Sequence, residues 1–454
     1  MSTNTQHQWW FEEPSLEGRP QSAILVALQR RNQKPEEVEE HLRELAFLTK
    51  TLGLQVVDTV VQRRPYPHPR TFIGPGKLKE ISALAKQYNV GYLIFDDDLT
   101  PAQIHHIEKE SGIPALDRTD VILMIFARHA RTNQARLQVQ LARLQHMLPR
   151  LKRMWTHLER QRGGIGHRGG AGEREIEKDR RIIKNKIAQL RKKLKEIEKQ
   201  GEVRRRRRQE MVRVAMVGYT NVGKTTLMNL LAHENLLAEN KLFATLDTTV
   251  RRVVIDNVPF LLSDTVGFIR KLPHELVESF KNTLAEAREA DIILHVIDVS
   301  HPSYKEQIKT VNRTLKQVGV VNKPTIYVFN KVDILMKQKD LDLQEIERQY
   351  SLDVDEPQIF ISATEGINID KLKKTILREV IKQYKEKYPH LVPRIGLDSK
   401  ALKALEEQTQ DAKEPEDLSV SQQAQEDNGF ASESSGKIEI REVSVDRTNI
   451  YTEK

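Results

Sequence analysis

The residues best equipped for chemistry lie between 218 and 226. They read Gly218-Tyr219-Thr220-Asn221-Val222-Gly223-Lys224-Thr225-Thr226 and follow an apolar run, VRVAMV (212–217). A helical pattern, TLMNLLA, comes next. This is GxxxxGK[ST] in the strand–loop–helix setting that the motif needs. The glycines let backbone N–H groups turn inward around a β-phosphate, with the helix N-terminus adding to the attraction. Lys224 is placed to neutralise β- and γ-phosphate oxygens, and the Thr225 hydroxyl to complete a Mg²⁺ site.

Residues further along select the base. Asn330-Lys331-Val332-Asp333 follows the apolar strand TIYVF. The Asp333 carboxylate can accept two hydrogen bonds from the ring N–H and exocyclic amine of guanine, a donor pair that adenine lacks. Asn330 is expected to hold the loop and reach the acceptor edge of the base, while the Lys331 stem covers its face. Ser362-Ala363 follows PQIFI, where a backbone N–H can meet the guanine carbonyl. In LDTTVRR, Thr249, expected in the loop between the phosphate-loop helix and the next strand, is the candidate switch threonine for Mg²⁺ and the γ-phosphate, with Thr248 its close rival. In the segment Asp264-Thr265-Val266-Gly267, Asp264 is the expected outer-sphere Mg²⁺ carboxylate and Gly267 the amide that senses the γ-phosphate. These elements, in this order, predict a GTP/GDP site with Mg²⁺ on Thr225 and Thr249. Lys224, Thr249, Asp264 and Gly267 are the candidate catalytic groups. The next residue is Phe268, and an aromatic ring cannot polarise an attacking water, so the chemistry missing from DTVGF is expected from a partner.

The elements that must carry this site fall into four segments. Residues 1–130 alternate short apolar runs (AILVAL, LQVVDTVV, VGYLIF, IPAL) with helical patterns, which predicts a small α/β domain with a largely parallel sheet. FIGPGK (72–77) reads as a turn into a helix. Asp96-Asp97-Asp98, just before Thr100-Pro101, reads as a solvated helix cap and not as a metal site. In residues 131–203, Leu137, Leu141, Leu144, Leu148, Leu151, Trp155 and Leu158 form one heptad seam, and Ile176, Ile183, Leu190 and Ile197 a second. Joined by RGGIGHRGGAG, they predict an antiparallel helical hairpin, kinked or broken at Pro149. Residues 204–390 form the nucleotide domain, a mostly parallel sheet with helices on both faces. Residues 391–454 form an acidic, partly disordered end in which IEIREVSV could make a strand.

Charge is distributed unevenly. The chain carries +9, yet Arg128–Arg208 alone has 26 basic against 8 acidic residues, and Ile395–Lys454 has 7 against 14. A strongly basic arm on an otherwise near-neutral protein points to a polyanion, most simply nucleic acid. At its tip six glycines alternate with Arg162, His167 and Arg168, followed by Arg174. Little side-chain bulk there lets backbone amides and guanidinium groups press against phosphates. Arg204–Arg208 reads as a hinge or a further phosphate contact. The absence of cysteine excludes a disulfide scaffold and thiolate metal sites. No leader and no membrane span are predicted, so a cytoplasmic monomer is expected.

With these residues in place, the sequence resembles the HflX GTPases of the translation-factor class. The resemblance is carried by FIGPGKLKE, FDDDLTPAQ, LDRTDVILMIFARHARTNQARLQVQLA, RGGIGHRGG, GYTNVGKTTLMN, LFATLDTTVRR, DTVGFIRKLP, HVIDVS and NKVD, over roughly residues 20–385. It implies an N-terminal α/β domain with a helical arm, then a GTPase domain. It also implies binding to the large ribosomal subunit and its rRNA, rescue or recycling of ribosomes by subunit splitting, and hydrolysis stimulated by that subunit. Asn221 stands where potassium-activated GTPases hold a K⁺-coordinating asparagine. Thr248 replaces the proline usual in the family's switch motif, and GEREIE replaces the usual GET-like stretch after the tip. Two other readings compete. One is a nucleotide-dependent RNA-remodelling or chaperone protein that also uses ATP, although no second phosphate loop occurs in residues 1–210. The other is a signalling GTPase with a protein partner, which leaves the basic arm unexplained.

Overall fold

A computed structural model describes residues 18–161, 171–206, 211–232, 243, 249–271 and 285–392. The tip residues Arg162, His167 and Arg168, the switch residue Thr248 and everything after Val392 lie outside the described residues.

The N-terminal sheet has four parallel strands in the order β2-β1-β3-β4: β1 (Ser22–Gln29), β2 (Gln55–Arg63), β3 (Tyr92–Phe95) and β4 (Ala115–Asp117). β1 from Ala23 onward and the whole of β3 are buried, as their apolar runs require of strands covered on both faces. Helices α1 (Pro35–Thr51), α2 (Pro75–Gln87) and α3 (Pro101–Ser111) each open on proline, whose fixed φ suits a first turn. Helix α1 buries Val38, Leu42, Leu45 and Leu48, an apolar stripe at helical spacing. The cap of α3 is Thr100, in a capping box with Gln103. The three aspartates before it are not a solvated cap. Asp96 is only 3% exposed and accepts from Arg118 at 2.8 Å, while Asp98 accepts from Thr119. Buried Arg118 and half-exposed Lys271 hold Asp96, Lys271 also reaches Asp97, and only Asp98 remains exposed.

Helix α4 (Arg118–His129) is almost wholly buried from Arg118 to Phe126, because it is packed on several sides at once. The arm follows as α5 (Asn133–Gln161) and α6 (Ala171–Arg206). Leu141 and Leu144 of α5 pack against Ile183, Ile187, Leu190 and Leu194 of α6, so the seam forms over this part of the arm, while the side chains of Leu151, Trp155, Leu158 and Ile176 lie outside the described residues. The break envisaged at Pro149 does not occur, since α5 is one continuous helix. A single lost N–H bond is outweighed by the seam around it, in which neighbouring Leu148 takes part. Arg150 ties the arm to the domain, donating to Asp120 at 3.0 Å and also pairing with Asp117. Asp117, Asp120 and His146 could in principle ligate an ion, but the Arg150 guanidinium already supplies the positive charge there.

The second sheet has six strands in the order β10-β9-β8-β5-β7-β6. They are β5 (Arg213–Gly218), β6 (Thr249–Ile255), β7 (Val258–Asp264), β8 (Ile292–Asp298), β9 (Thr325–Asn330) and β10 (Gln358–Phe360). Only the β6–β7 pair is antiparallel. Helices between the strands complete the α/β layers, among them α7 (Lys224–Ala232) directly after the phosphate loop. One apolar core runs through both sheets: Leu45 and Phe126 belong to the same cluster as Met216, Phe243 and Phe268. No described helix is long and apolar enough to cross a membrane.

Candidate functional site

The loop Gly218–Gly223 leaves β5 and turns into α7. Lys224, the first helical residue, is buried and donates to the Tyr219 carbonyl at 2.7 Å and to the Gly218 carbonyl at 3.2 Å. Burial pushes its pKa down to about 8, an effect that the nearby Asp264 carboxylate partly offsets. The Thr225 hydroxyl donates to Asp264 Oδ2 at 2.9 Å. Thr249 is not in the loop before the strand but is the first residue of β6, where it lies opposite Asp264 in the antiparallel register. Thr225 on α7, Asp264 on β7 and Thr249 on β6 bring two hydroxyls and a carboxylate to neighbouring positions, hard oxygen donors of the kind that suit Mg²⁺. Thr226 is half-buried on the first turn of α7, and Asn221 is exposed with φ 61°.

The base-recognition loops meet through one side chain. Asn330 donates through Nδ2 to the Val222 carbonyl at 2.8 Å and accepts through Oδ1 from the Ala363 N–H at 3.0 Å. It therefore clamps the phosphate loop to the Ser362-Ala363 loop. The clamp explains Gly223, since a Cβ there would lie 2.4 Å from Asn330 Nδ2. The Ser362 N–H donates to the Ile367 carbonyl at 3.3 Å, so both amides of the dipeptide are already engaged. Lys331 has φ 69° and pairs with Asp298 at 2.6 Å, and half-buried Asp333 sits in the first turn of the following helix.

The segment after β7 is docked on the phosphate loop by main-chain bonds. The Thr220 N–H donates to the Phe268 carbonyl at 2.8 Å, and the Phe268 N–H donates to the Gly218 carbonyl at 3.1 Å. The Thr265 hydroxyl donates to the Met216 carbonyl at 2.7 Å, Val266 is buried, and the Phe268 ring faces the core at 2% exposure. Phe268 thus points inward. Gly267 lies so close to the loop that a Cβ would stand 2.8 Å from Thr220 Cγ2 and 3.2 Å from Lys224 Nζ. Beside this site His295 on β8 is held neutral, its pKa pushed down to about 3 by burial and by the Lys224 charge.

The N-terminal domain reaches the same elements, which sequence reasoning did not foresee. The Tyr219 hydroxyl donates to Glu44 of α1 and accepts from the Arg270 N–H at 2.7 Å. Arg270 pairs with Glu40, which also accepts from Ser303, and Lys271 bonds Asp96 at 2.6 Å and Asp97 at 2.8 Å. Arg118 closes the network on Glu44 at 2.6 Å. Burial opposes ionisation of Asp96, but Arg118 and Lys271 outweigh it and hold its pKa below the usual carboxylate range. Burial and the Glu44 carboxylate raise the Tyr219 phenol, which stays protonated and can donate. Phe243, from LFATLD, stacks edge-on against Phe126 of α4 with ring centroids 4.5 Å apart. No local signal in the sequence pairs residues more than a hundred positions apart. The only hint was the run of acidic residues on α1 and the two cations after DTVGF.

A phosphate loop on this sheet, a Thr225–Asp264 pair and an Asn330 clamp beside Asp333 define a GTPase of the P-loop class. Comparison with known proteins agrees. Residues 39–127 match the GTP-binding GTPase N-terminal family, 129–208 the GTP-binding GTPase middle region, and 213–331 the 50S ribosome-binding GTPase family. The chain is 47% identical over 384 residues to GTPase HflX of Flavobacterium psychrophilum, covering 82% of this chain and 93% of that one. It is 38% identical over 362 residues to GTPase HflX of Escherichia coli, covering 79% and 83%. A GTP-binding protein from Sulfolobus solfataricus, solved in complex with GDP, aligns at 25% identity over 80% of this chain and 99% of that one, with a TM-score of 0.43. The chain belongs to the HflX family of GTPases, and it is a GTP hydrolase.

Proposed function

We propose that this GTPase binds the large ribosomal subunit in its GTP form and acts in ribosome rescue or recycling by splitting the subunits, with hydrolysis resetting it. The observation that carries this reading is the docking of Phe268. Its ring is in the core and its main chain is bonded to Gly218 and Thr220, so the segment that should position the attacking water has no side chain free to do so. The protein is then a slow hydrolase alone, and a partner completes the site. The basic arm and the match to a family described as 50S ribosome-binding favour the large subunit and its rRNA, met through Arg162, Arg168 and Arg174.

In this mechanism the backbone of Gly218–Gly223 and the start of α7 receive the phosphates. Lys224 exchanges the carbonyls of Gly218 and Tyr219 for β- and γ-phosphate oxygens. Thr225 and Thr249 would hold Mg²⁺, with Asp264 behind them, and the ion would neutralise charge on the same oxygens. Asn221 would hold K⁺ if one is used. Water bonds to the γ-phosphorus as the bond to the β–γ bridging oxygen breaks, and its protons pass to phosphate oxygen and solvent. GDP and inorganic phosphate leave. Asp333 reads the guanine ring N–H and amine.

The test is single-turnover GTP hydrolysis with and without purified large subunits across a salt series. Strong, salt-sensitive stimulation by the large subunit and none by the small one is expected. A rate indifferent to both would overturn the ribosomal reading and leave the GTP site standing. In the same assay Arg162→Ala with Arg168→Ala should weaken subunit binding and spare GDP binding.

A further inference from the structure

A cleft of about 590 Å³ opens at the C-terminal edge of the N-terminal sheet, lined by none of the phosphate-loop residues. Ligands of open α/β sheets bind outside the carboxyl ends of the strands. Its walls come from the ends of β1 and β2 and carry Arg30, Arg31, Arg63 and Arg64. Buried Gln29 forms the floor. It lies opposite Arg63 in the strand register and accepts from Arg63 Nε at 2.7 Å, while the two terminal guanidinium nitrogens make no ion pair among the described residues. Arg64 lies over Gly74, where a Cβ would stand 3.1 Å from its Nη1. Among the described residues, Arg31, Arg63 and Arg64 have no carboxylate within 4 Å. Arg30 has only Asp97, at 3.8 Å, and Asp97 is already bonded to Lys271 at 2.8 Å. Gln33 and Pro35 bring in the start of α1, whose first turn lacks a side-chain cap, although Glu36 and Glu37 in that turn temper its attraction for anions.

Arg30, Arg31 and Arg63 are exposed and Arg64 is half-buried, and four like charges with so little compensation make the cleft electropositive and attractive to an anion. Beside them stands Tyr66, 78% exposed, in the sequence Arg64-Pro65-Tyr66-Pro67. Flanking prolines stiffen the loop, and Arg64 Nε donates to the Tyr66 carbonyl at 3.4 Å. An aromatic ring presented to solvent beside arginines is the pairing that single-stranded nucleic acid uses: phosphates on the cations, an unpaired base on the ring. A free nucleotide fits less well, because the loop Arg30–Lys34 has no glycine to form a phosphate nest.

We propose that Arg30, Arg31, Arg63, Arg64 and Tyr66 form a second RNA site, on the N-terminal domain and separate from the arm, that takes an unpaired strand by its phosphates and one stacked base. The choice of RNA over DNA rests on the ribosomal reading above. The binding chemistry does not.

The experiment uses the full chain with GDP bound and with Arg162→Ala and Arg168→Ala in place, so that the arm does not mask the site. Affinity for a labelled, unstructured RNA 12-mer is measured by fluorescence anisotropy across a salt series. Adding Arg31→Ala, Arg63→Ala and Arg64→Ala should weaken binding at least about tenfold and lower the salt slope by about 2, three contacts at about 0.7 each. Tyr66→Ala should weaken single-stranded binding about fivefold or more and leave duplex binding unchanged. Thermal melting and intrinsic GTP hydrolysis, measured alongside, should stay at parent values. A 4-thiouridine RNA should cross-link to the peptide containing Tyr66. Unchanged affinity in these variants, or cross-links elsewhere only, overturns the site. Tripolyphosphate binding that needs these arginines while RNA does not bind makes it a small-anion site, and a clear preference for the matching DNA strand removes RNA as the partner. Loss of large-subunit stimulation with this RNA binding intact strikes the ribosomal reading alone.

Discussion

Tyr219 and Glu44, 175 positions apart, share a hydrogen bond in which the second residue of the phosphate loop donates to the first helix of the N-terminal domain. The same phenol accepts from the Arg270 N–H, so one side chain ties the phosphate loop, the segment after DTVGF and the neighbouring domain together.

Tyr219→Phe keeps the ring and removes the hydroxyl, so Glu44 loses its phenol donor and keeps only its ion pairs with Arg118 at 2.6 Å and Arg270 at 3.7 Å. Loss of one partner of a buried charged group costs about 1–3 kcal/mol. A lower melting temperature is expected, with GDP affinity within about threefold of wild type because the loop backbone is unchanged. An unaltered melting curve would show that the contact contributes nothing in solution.

Gly267→Ala would place a methyl group 2.8 Å from Thr220 Cγ2 and force the segment off the phosphate loop. Nucleotide binding should survive, since the loop itself is intact, while the GTP-dependent response is lost. The check is partner-stimulated hydrolysis against GDP affinity measured with a fluorescent analogue. A variant hydrolysing at the parent rate would show that Gly267 does not sense the γ-phosphate.

Lys224 gives a pH dependence whose sign can be worked out. Its pKa without nucleotide is lowered to about 8 by burial, and phosphate oxygens favour the ammonium, so binding raises it. Below pH 8 the lysine is protonated in both states and affinity does not depend on it. Above pH 8 binding must take up a proton, and GDP affinity should fall by up to about tenfold per pH unit. Calorimetry in two buffers of different ionisation enthalpy would detect the uptake. Lys224→Gln should lack this component, and an identical uptake in that variant would assign it to another group.

Asp333→Asn replaces an acceptor by an amide and should cost about 1.5–3 kcal/mol for each charged hydrogen bond lost, at least about tenfold in GTP affinity. ATP competition measured against GTP reads the selectivity. Undiminished discrimination would refute the assignment of base recognition to Asp333.

Much of the site was legible because its parts are local. The phosphate loop, the Thr225–Asp264 pair and the NKVD loop are short motifs whose strand and helix flanks repeat in the chain. The seam of the arm was legible too, since Leu141, Leu144 and Ile187 obey a fixed period. Three features were not. Asp96-Asp97-Asp98 looked solvated because its partners Arg118 and Lys271 lie 22 and 175 positions away from Asp96. Pro149 signalled a possible break because the stripe that keeps α5 continuous belongs to another helix. The engagement of the Ser362 and Ala363 amides depends on Asn330 and on the turn to Ile367, which spacing alone does not reveal.

The helix α4 has a mechanical consequence. Its Phe126 meets Phe243 of the switch segment, its first residue Arg118 joins the Glu44 network, and Asp120 is bonded to Arg150 of the arm. Helix α4 thus meets the phosphate-loop network and the arm within its first turn, and the segment holding Phe243 near its other end, with Arg150 as the pivot from which a long rod extends. From Arg150 the rod runs on to Gln161, about 16 Å at 1.5 Å per residue. A tilt of about 10° at the pivot then sweeps the end of α5 through about 3 Å, the size of a hydrogen bond. A small rotation at the base of the arm is thereby magnified into a displacement large enough to make or break a contact at its end.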